Sequence, residues 1–299
     1  KTLARPPPRS LHSAGTGRAH SGRSAQPPCV VAMGGAVFSK VGQLALLDFG
    51  IQGVGWALAS ALHTERFYDL TGSLTYWALT MRARSFASAE GKELSLRQQV
   101  CSACVLVWSL RLGSFLARRA WKHGDSRFDK VKHDPKMFFV YWFVQGVWCL
   151  ITALPVYLQL SQPQDDAPLG IMDYVSWAGW LTGFAMEVTA DAQKSAWRAA
   201  GNTGFINTGL WKYSQHPNYF GEMCLWSSLC VSCLNSLPSA GTRVAALGSP
   251  AFVCYLLRYV SGVPLLQKAA KKKYGSDARY LDYTTRTSLL FPWLPKRKM

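Results

Sequence analysis

Apolar residues in this chain come in blocks, separated by polar and mostly basic connectors. The blocks run Leu44–Leu62, Leu70–Met81, Val100–Leu116, Phe138–Leu160, Ile171–Ala190, Pro217–Leu237 and about Val244–Leu266. Most hold roughly 17–25 residues with few charges, the length of a helix that crosses the hydrocarbon core of a bilayer. Leu70–Met81 is the shortest, and the pattern leaves open whether it crosses. The expectation is an all-α polytopic membrane protein, with about seven transmembrane helices spread over residues 44–295. Gly50, Gly53 and Gly55 lie inside the first block. No strand precedes them and their spacing is wrong for a dinucleotide loop, so they read as small residues that let helices approach.

Residues 1–43 differ in kind. They are rich in Arg, Ser, Ala, Gly and Pro, and the first acidic residue of the chain is Asp48. Such a segment cannot bury a core and suits either an organelle transit peptide, plastid ahead of mitochondrion, or a disordered basic tail. Cleavage near Cys29–Met33 fits the first reading.

Composition then narrows the class. The 299 residues are 49% hydrophobic, include 12 Trp and carry a formal net charge of +17. That charge does not point to nucleic acid, because it sits between apolar spans, where cytoplasmic-side loops carry it. With seven spans, the connectors 118–136 and 191–216 and the basic tail from Lys268 onward share one side, cytosolic or stromal. The loop 161–170, with Asp165 and Asp166 and no Lys or Arg, falls on the other. The partners expected are a lipid bilayer and a lipophilic small molecule.

Most of the eight cysteines lie in apolar spans, and Cys101/Cys104 and Cys230/Cys233 have C-x-x-C spacing. No His or third Cys stands at ligand spacing nearby, so they read as small buried side chains, and no metal site is expected.

One stretch changes character midway: Gly209-Leu-Trp-Lys-Tyr-Ser-Gln-His-Pro-Asn-Tyr-Phe-Gly-Glu222. Lys212 to His216 suit a membrane surface. Pro217 suits the first position of a helix, because its missing N–H would be unbonded there anyway. Asn218 and Glu222 are then four apart, on one face and one turn inside. Ionisable groups at such depth are costly, which makes them candidates for function, and the helix start suits a phosphate. The alternative is that Glu222 only pairs with a neighbouring Arg. Glu187, Asp191, Glu222 and Arg258, with Arg198, Lys212, Tyr213 and His216 close by in sequence, gather at the basic-side ends of the last three spans. A pocket of mixed charge suits a nucleotide, with carboxylates accepting from ribose or amide groups and cations holding phosphates. Arg111, in an apolar span, also demands a partner. No G-x-S-x-G, H-E-x-x-H or P-loop motif is present.

The 209–222 stretch, with Arg258–Leu266 and Lys272–Tyr280, resembles the C-terminal half of the steroid 5-alpha-reductase superfamily. Phe67–Ser73, Trp108–Gly113 and Asp125–Asp129 resemble its branch from bacteria and photosynthetic eukaryotes. The resemblance covers roughly residues 44–295. It implies a seven-helix membrane reductase that delivers hydride from NADPH to an activated carbon–carbon double bond. It further implies that Asn218 and Glu222 hold the nicotinamide end, that Glu187 and Asp191 make polar cofactor contacts, and that Arg198 and Arg258 take phosphates. Lys212, Tyr213 and His216 complete the expected cofactor set. Gln215 stands where this branch usually has Arg, with Lys212 as the candidate substitute. Steroid-reducing relatives grip the substrate ketone with a Glu and a Tyr in the N-terminal half. Here Tyr68, Asp69 and Tyr76 are the catalytic candidates by residue type, with Glu65 beside them.

Two other classes compete. Isoprenylcysteine and phospholipid methyltransferases carry a similar His-Pro run at a membrane helix start but bind S-adenosylmethionine. A non-catalytic membrane scaffold could also retain this fold.

Overall fold

The computed structural model describes residues 28–125, 127–162 and 167–297. The leader up to residue 27 and the acidic pair Asp165/Asp166 therefore lie outside the described residues. The elements are helices: α1 Pro28–Ala61, α2 Tyr68–Ala89, α3 Leu96–His123, α4 Pro135–Thr152, α5 Leu154–Leu160, α6 Ile171–Ala199, α7 Pro217–Leu234, α8 Ala240–Tyr255, α9 Val263–Tyr274 and α10 Ala278–Arg286. A 3₁₀ turn occupies Gly209–Lys212 and a π-helical turn Leu256–Val260. Among the described residues there is no strand, only one bridge between Ser214 and Ser288.

By length and apolar composition, Gly35–Ala61, Leu96–Lys122 and Ala240–Tyr274 can each cross a membrane. The pair α4–α5, bent by 57°, adds a fourth if it forms one span. The protein is thus a helical membrane protein with three or four candidate spans of this kind among the described residues, against the seven expected. α2, α6 and α7 fall short because charged and polar side chains, such as Arg82, Arg84, Glu187 and Glu222, dilute their apolar runs.

Several boundaries move. Residues 28–43, expected in the leader, are helical and continue into α1. Arg82 to Ala89, expected in a polar loop, complete α2, and α6 runs nine residues past Ala190. Basic residues there do not end a helix, because their long stems and helix-compatible backbones continue it until a turn residue intervenes. The 138–160 block breaks at Ala153, ahead of Pro155, whose ring and missing N–H forbid an unbroken helix.

The centre is aromatic. Tyr76 packs against Trp108 and Trp148, with ring centroids 5.2 and 5.3 Å apart, and Trp108 against Trp226 at 4.8 Å. α6 and α7 approach most closely at Gly183 and Gly221. A Cβ on Gly183 would stand 2.6 Å from the Gly221 carbonyl oxygen, and one on Gly221 equally close to the Gly183 carbonyl. Only glycine permits that approach. It sets the ends of α6 that carry Glu187 and Asp191 beside the start of α7.

The C-terminal segment staples the connector that leads into α7. Gln215 N–H donates to the Ser288 carbonyl at 2.8 Å, Ser214 Oγ to the Leu290 carbonyl at 2.7 Å, and the Tyr283 hydroxyl to the Trp211 carbonyl at 2.7 Å.

Candidate functional site

Pro217 occupies the first turn of α7, as its fixed φ suits, and His216 sits at the N-cap with no side chain capping the helix start. One turn on, Asn218 and Glu222 line a cavity of about 540 Å³ bounded by α2, α3, α4, α6, α7, α8, the π-helical turn and the start of α9. Its volume lies within the range of small-molecule sites. Its polar lining includes Glu187, Asp191, Lys194 and Arg198 from α6, with Asp69, Arg119 and Arg127. Its apolar lining includes Leu112, Phe115, Val253, Leu256 and Leu257.

Arg111 of α3 ties the polar region together. Its Nη1 donates to Glu187 Oε1 and its Nη2 to Asp191 Oδ2, both at 2.5 Å. Trp108 Nε1 donates to the other Glu187 oxygen at 3.3 Å, and Asn218 Nδ2 to the other Asp191 oxygen at 3.2 Å. A carboxylate pair buried without a cation would be strongly disfavoured, and the guanidinium fork answers two carboxylates at once. Arg111 is the partner its apolar span demanded, though the expected cofactor set did not include it. Glu222 differs. Half-buried on the cavity wall, it has no hydrogen bond or ion pair among the described residues. The reading in which it merely pairs with an Arg does not describe it.

The catalytic candidates all reach this cavity, held in different ways. The Tyr68 hydroxyl donates to the Tyr141 carbonyl at 2.8 Å, and Asp69 lies 3.4 Å from Arg127 and 3.8 Å from Arg119. Tyr76, buried, donates a long bond of 3.4 Å to the Trp148 carbonyl. Glu65 does not line the cavity and pairs with Lys132 at 3.2 Å.

Four expected cofactor residues, Lys212, Tyr213, His216 and Arg258, do not line the cavity. Lys212 is exposed, with Nζ 5.7 Å from the ring centre of Tyr213. Arg258 lies over Tyr259 at 4.9 Å. The turn and the 3₁₀ geometry, neither readable from spacing alone, direct them away. Gln215 Nε2 donates to the carbonyls of Thr284 and Thr287 at 3.0 and 2.8 Å, so it clamps the tail. Lys212 therefore does not take over a cavity contact in its place.

A second cavity of about 280 Å³ shares Lys194, Arg198 and Leu266 with the first. Its wall holds His216 and the mutually packed rings of Phe205, Tyr274, Tyr280 and Tyr283. His216 is 7% exposed, and its Nδ1 has no partner. Burial, with Lys194 and Arg258 adding to it, pushes its pKa down to about 4, so the ring is neutral at pH 7.

The seven cysteines described are free thiols, and no group of three or more metal-capable side chains occurs among the described residues. No curated protein and no solved structure matches the chain. The family described as DUF1295, protein of unknown function, matches residues 55–287, a stretch that includes every residue lining the first cavity, and the chain belongs to that family.

Proposed function

We propose that this protein is a seven-helix membrane reductase that uses NADPH to reduce an activated carbon–carbon double bond in a lipophilic substrate of steroid, sterol or isoprenoid type. One observation carries the reading: a single cavity is lined by Glu222, unpaired among the described residues, by Asn218, by the cations Lys194 and Arg198 and by apolar side chains. The association of this family with steroid 5-alpha-reductase-like proteins supports it.

The residues present fit such a cofactor. Glu222 is an acceptor with no competing protein donor, suited to the amide of a nicotinamide. Arg198 and Lys194 stand where the two cavities meet and suit phosphates. The aromatic wall of the second cavity offers faces on which a planar ring can stack. When bound, the cofactor supplies hydride. Tyr76 is the best-placed proton donor, because its hydroxyl is held more loosely than that of Tyr68 and needs no cation partner, unlike Asp69. The apolar wall orients the substrate and excludes water. The basic loops and tail face the cytosol or stroma, in an organelle membrane, plastid ahead of mitochondrion, or the endoplasmic reticulum.

The test is a parallel titration of detergent-purified protein with NADPH, NADH and S-adenosylmethionine, with Glu222→Ala as control. Saturable NADPH binding that the variant loses supports the reductase. Binding of S-adenosylmethionine instead assigns a methyltransferase, and binding of none assigns a scaffold.

A further inference from the structure

Away from the cavity, α1, α2, α4 and α5 meet around a carboxyl that the reading above does not use. Asp48 is fully buried on α1. Among the described residues its only hydrogen bond comes from Gln52 Nε2, at a long 3.4 Å to Oδ1, while Oδ2 has no partner. The same amide donates to Thr75 Oγ1 at 3.1 Å, and Gln52 Oε1 is unpartnered. Thr80 Oγ1, Thr152 Oγ1 and the Tyr157 hydroxyl are likewise buried without a hydrogen bond. Tyr157 of α5 and Cys149 of α4 are the titratable groups that interact with Asp48. No Lys, Arg or His forms an ion pair with it among the described residues; the nearest cation along α1, Lys40, pairs with Glu90.

An ionised carboxylate with no cation at this depth is very costly, whereas the neutral acid is far cheaper to bury. The neutral acid has an O–H to donate, and its unpartnered neighbours are mainly oxygens that can accept. Several orphaned polar atoms in one dry interior are each costly, and water molecules with two to four polar partners satisfy such groups with least disturbance. Tyr76 forms the wall between this junction and the cavity. Tyr76 itself lines the cavity, and its hydroxyl donates to the carbonyl of Trp148 on α4 at 3.4 Å.

We propose that the α1–α2–α4–α5 junction is a hydrated acid site, in which Asp48 is a neutral carboxylic acid among internal waters and replaces the proton that Tyr76 gives up at the cavity wall. Delivery to Tyr76 rests on the reductase reading; the hydrated neutral acid does not. As substrate is reduced, the Tyr76 O–H bond breaks and its proton goes to the substrate. A proton from the Asp48 O–H, passed along the waters, re-forms that bond. Asp48 regains a proton from bulk water along the same internal waters, which restores the neutral acid.

Infrared spectra of the protein in nanodiscs, in H₂O and D₂O, test the acid without cofactor or substrate. The expected result is a carboxylic-acid C=O band that disappears in Asp48→Asn, moves in Tyr157→Phe and shifts down in D₂O. No difference between the parent and Asp48→Asn in this region overturns the neutral acid. A melting temperature that rises with sodium only when Asp48 is present does so too, and assigns the site to a cation. A band that ignores D₂O overturns the hydration. Where NADPH binds, Asp48→Asn is expected to keep the parent affinity and lose at least tenfold in turnover; unchanged turnover overturns the relay. A protein that binds no NADPH but shows the band loses the reductase reading and keeps the acid site.

Discussion

Arg111 reaches from α3 to α6 and places its two terminal nitrogens 2.5 Å from Glu187 Oε1 and from Asp191 Oδ2. Removing this cation leaves two carboxylates facing each other inside the bundle. Truncating one partner of a buried charge pair typically costs about 3–5 kcal/mol. Arg111→Met is therefore expected to lower thermal stability in detergent sharply. Adding Glu187→Gln to it should recover part of the loss, because one uncompensated charge disappears. A single variant as stable as the parent would show that the triad contributes nothing.

Glu222 predicts the opposite pattern. It has no protein partner among the described residues to lose. Glu222→Gln should leave the unfolding temperature unchanged or slightly raised while weakening NADPH binding by roughly tenfold or more, the equivalent of about 1.4 kcal/mol. Parallel melting curves and titrations separate binding from folding. Equal loss in both would make Glu222 a structural residue.

The close approach of α6 and α7 has a consequence for the site. In Gly221→Ala the new methyl would meet the Gly183 carbonyl oxygen at 2.6 Å and the Glu187 backbone nitrogen at 2.9 Å. Those are backbone atoms that cannot rotate away. The helices must separate, at a cost of about 1–3 kcal/mol, and Glu187 shifts relative to Asn218 and Glu222. Both melting temperature and cofactor affinity are expected to fall. Gly248→Ala, where nothing stands within 4 Å, is the control expected to do neither.

His216 sets a pH dependence. Its folded pKa, pushed down to about 4 by burial and by nearby Lys194 and Arg258, lies below the ordinary imidazole value of 6.5. Between those values the unfolded chain binds more protons than the folded one, so stability falls as pH drops from 7 towards 4. The loss attributable to this ring is on the order of 3 kcal/mol. Melting followed from pH 7 to 4.5 should show a smaller acid loss in His216→Gln than in the parent. Identical curves would remove His216 as the cause.

Much of this protein is local in origin and could be read along the chain. Blocks of apolar residues make helices in a bilayer, Pro217 opens α7, and the four-residue spacing puts Asn218 and Glu222 on one face whatever surrounds them. The carboxylates at 187, 191 and 222 are conspicuous because hydrocarbon tolerates so few. Pairing between elements is another matter. That Arg111 answers Glu187 and Asp191, that Glu222 has no partner among the described residues, and that Lys212 and Arg258 turn away from the cavity all depend on how helices cross and on the direction in which each turn releases a side chain. Asp48 shows the same limit: along the chain it is one acid in an apolar block, and only the meeting of four helices surrounds it with unpartnered oxygens and no cation. Hydropathy and spacing act over a few residues, whereas charge pairing and burial are settled by groups that lie far apart in sequence and a few ångströms apart in space.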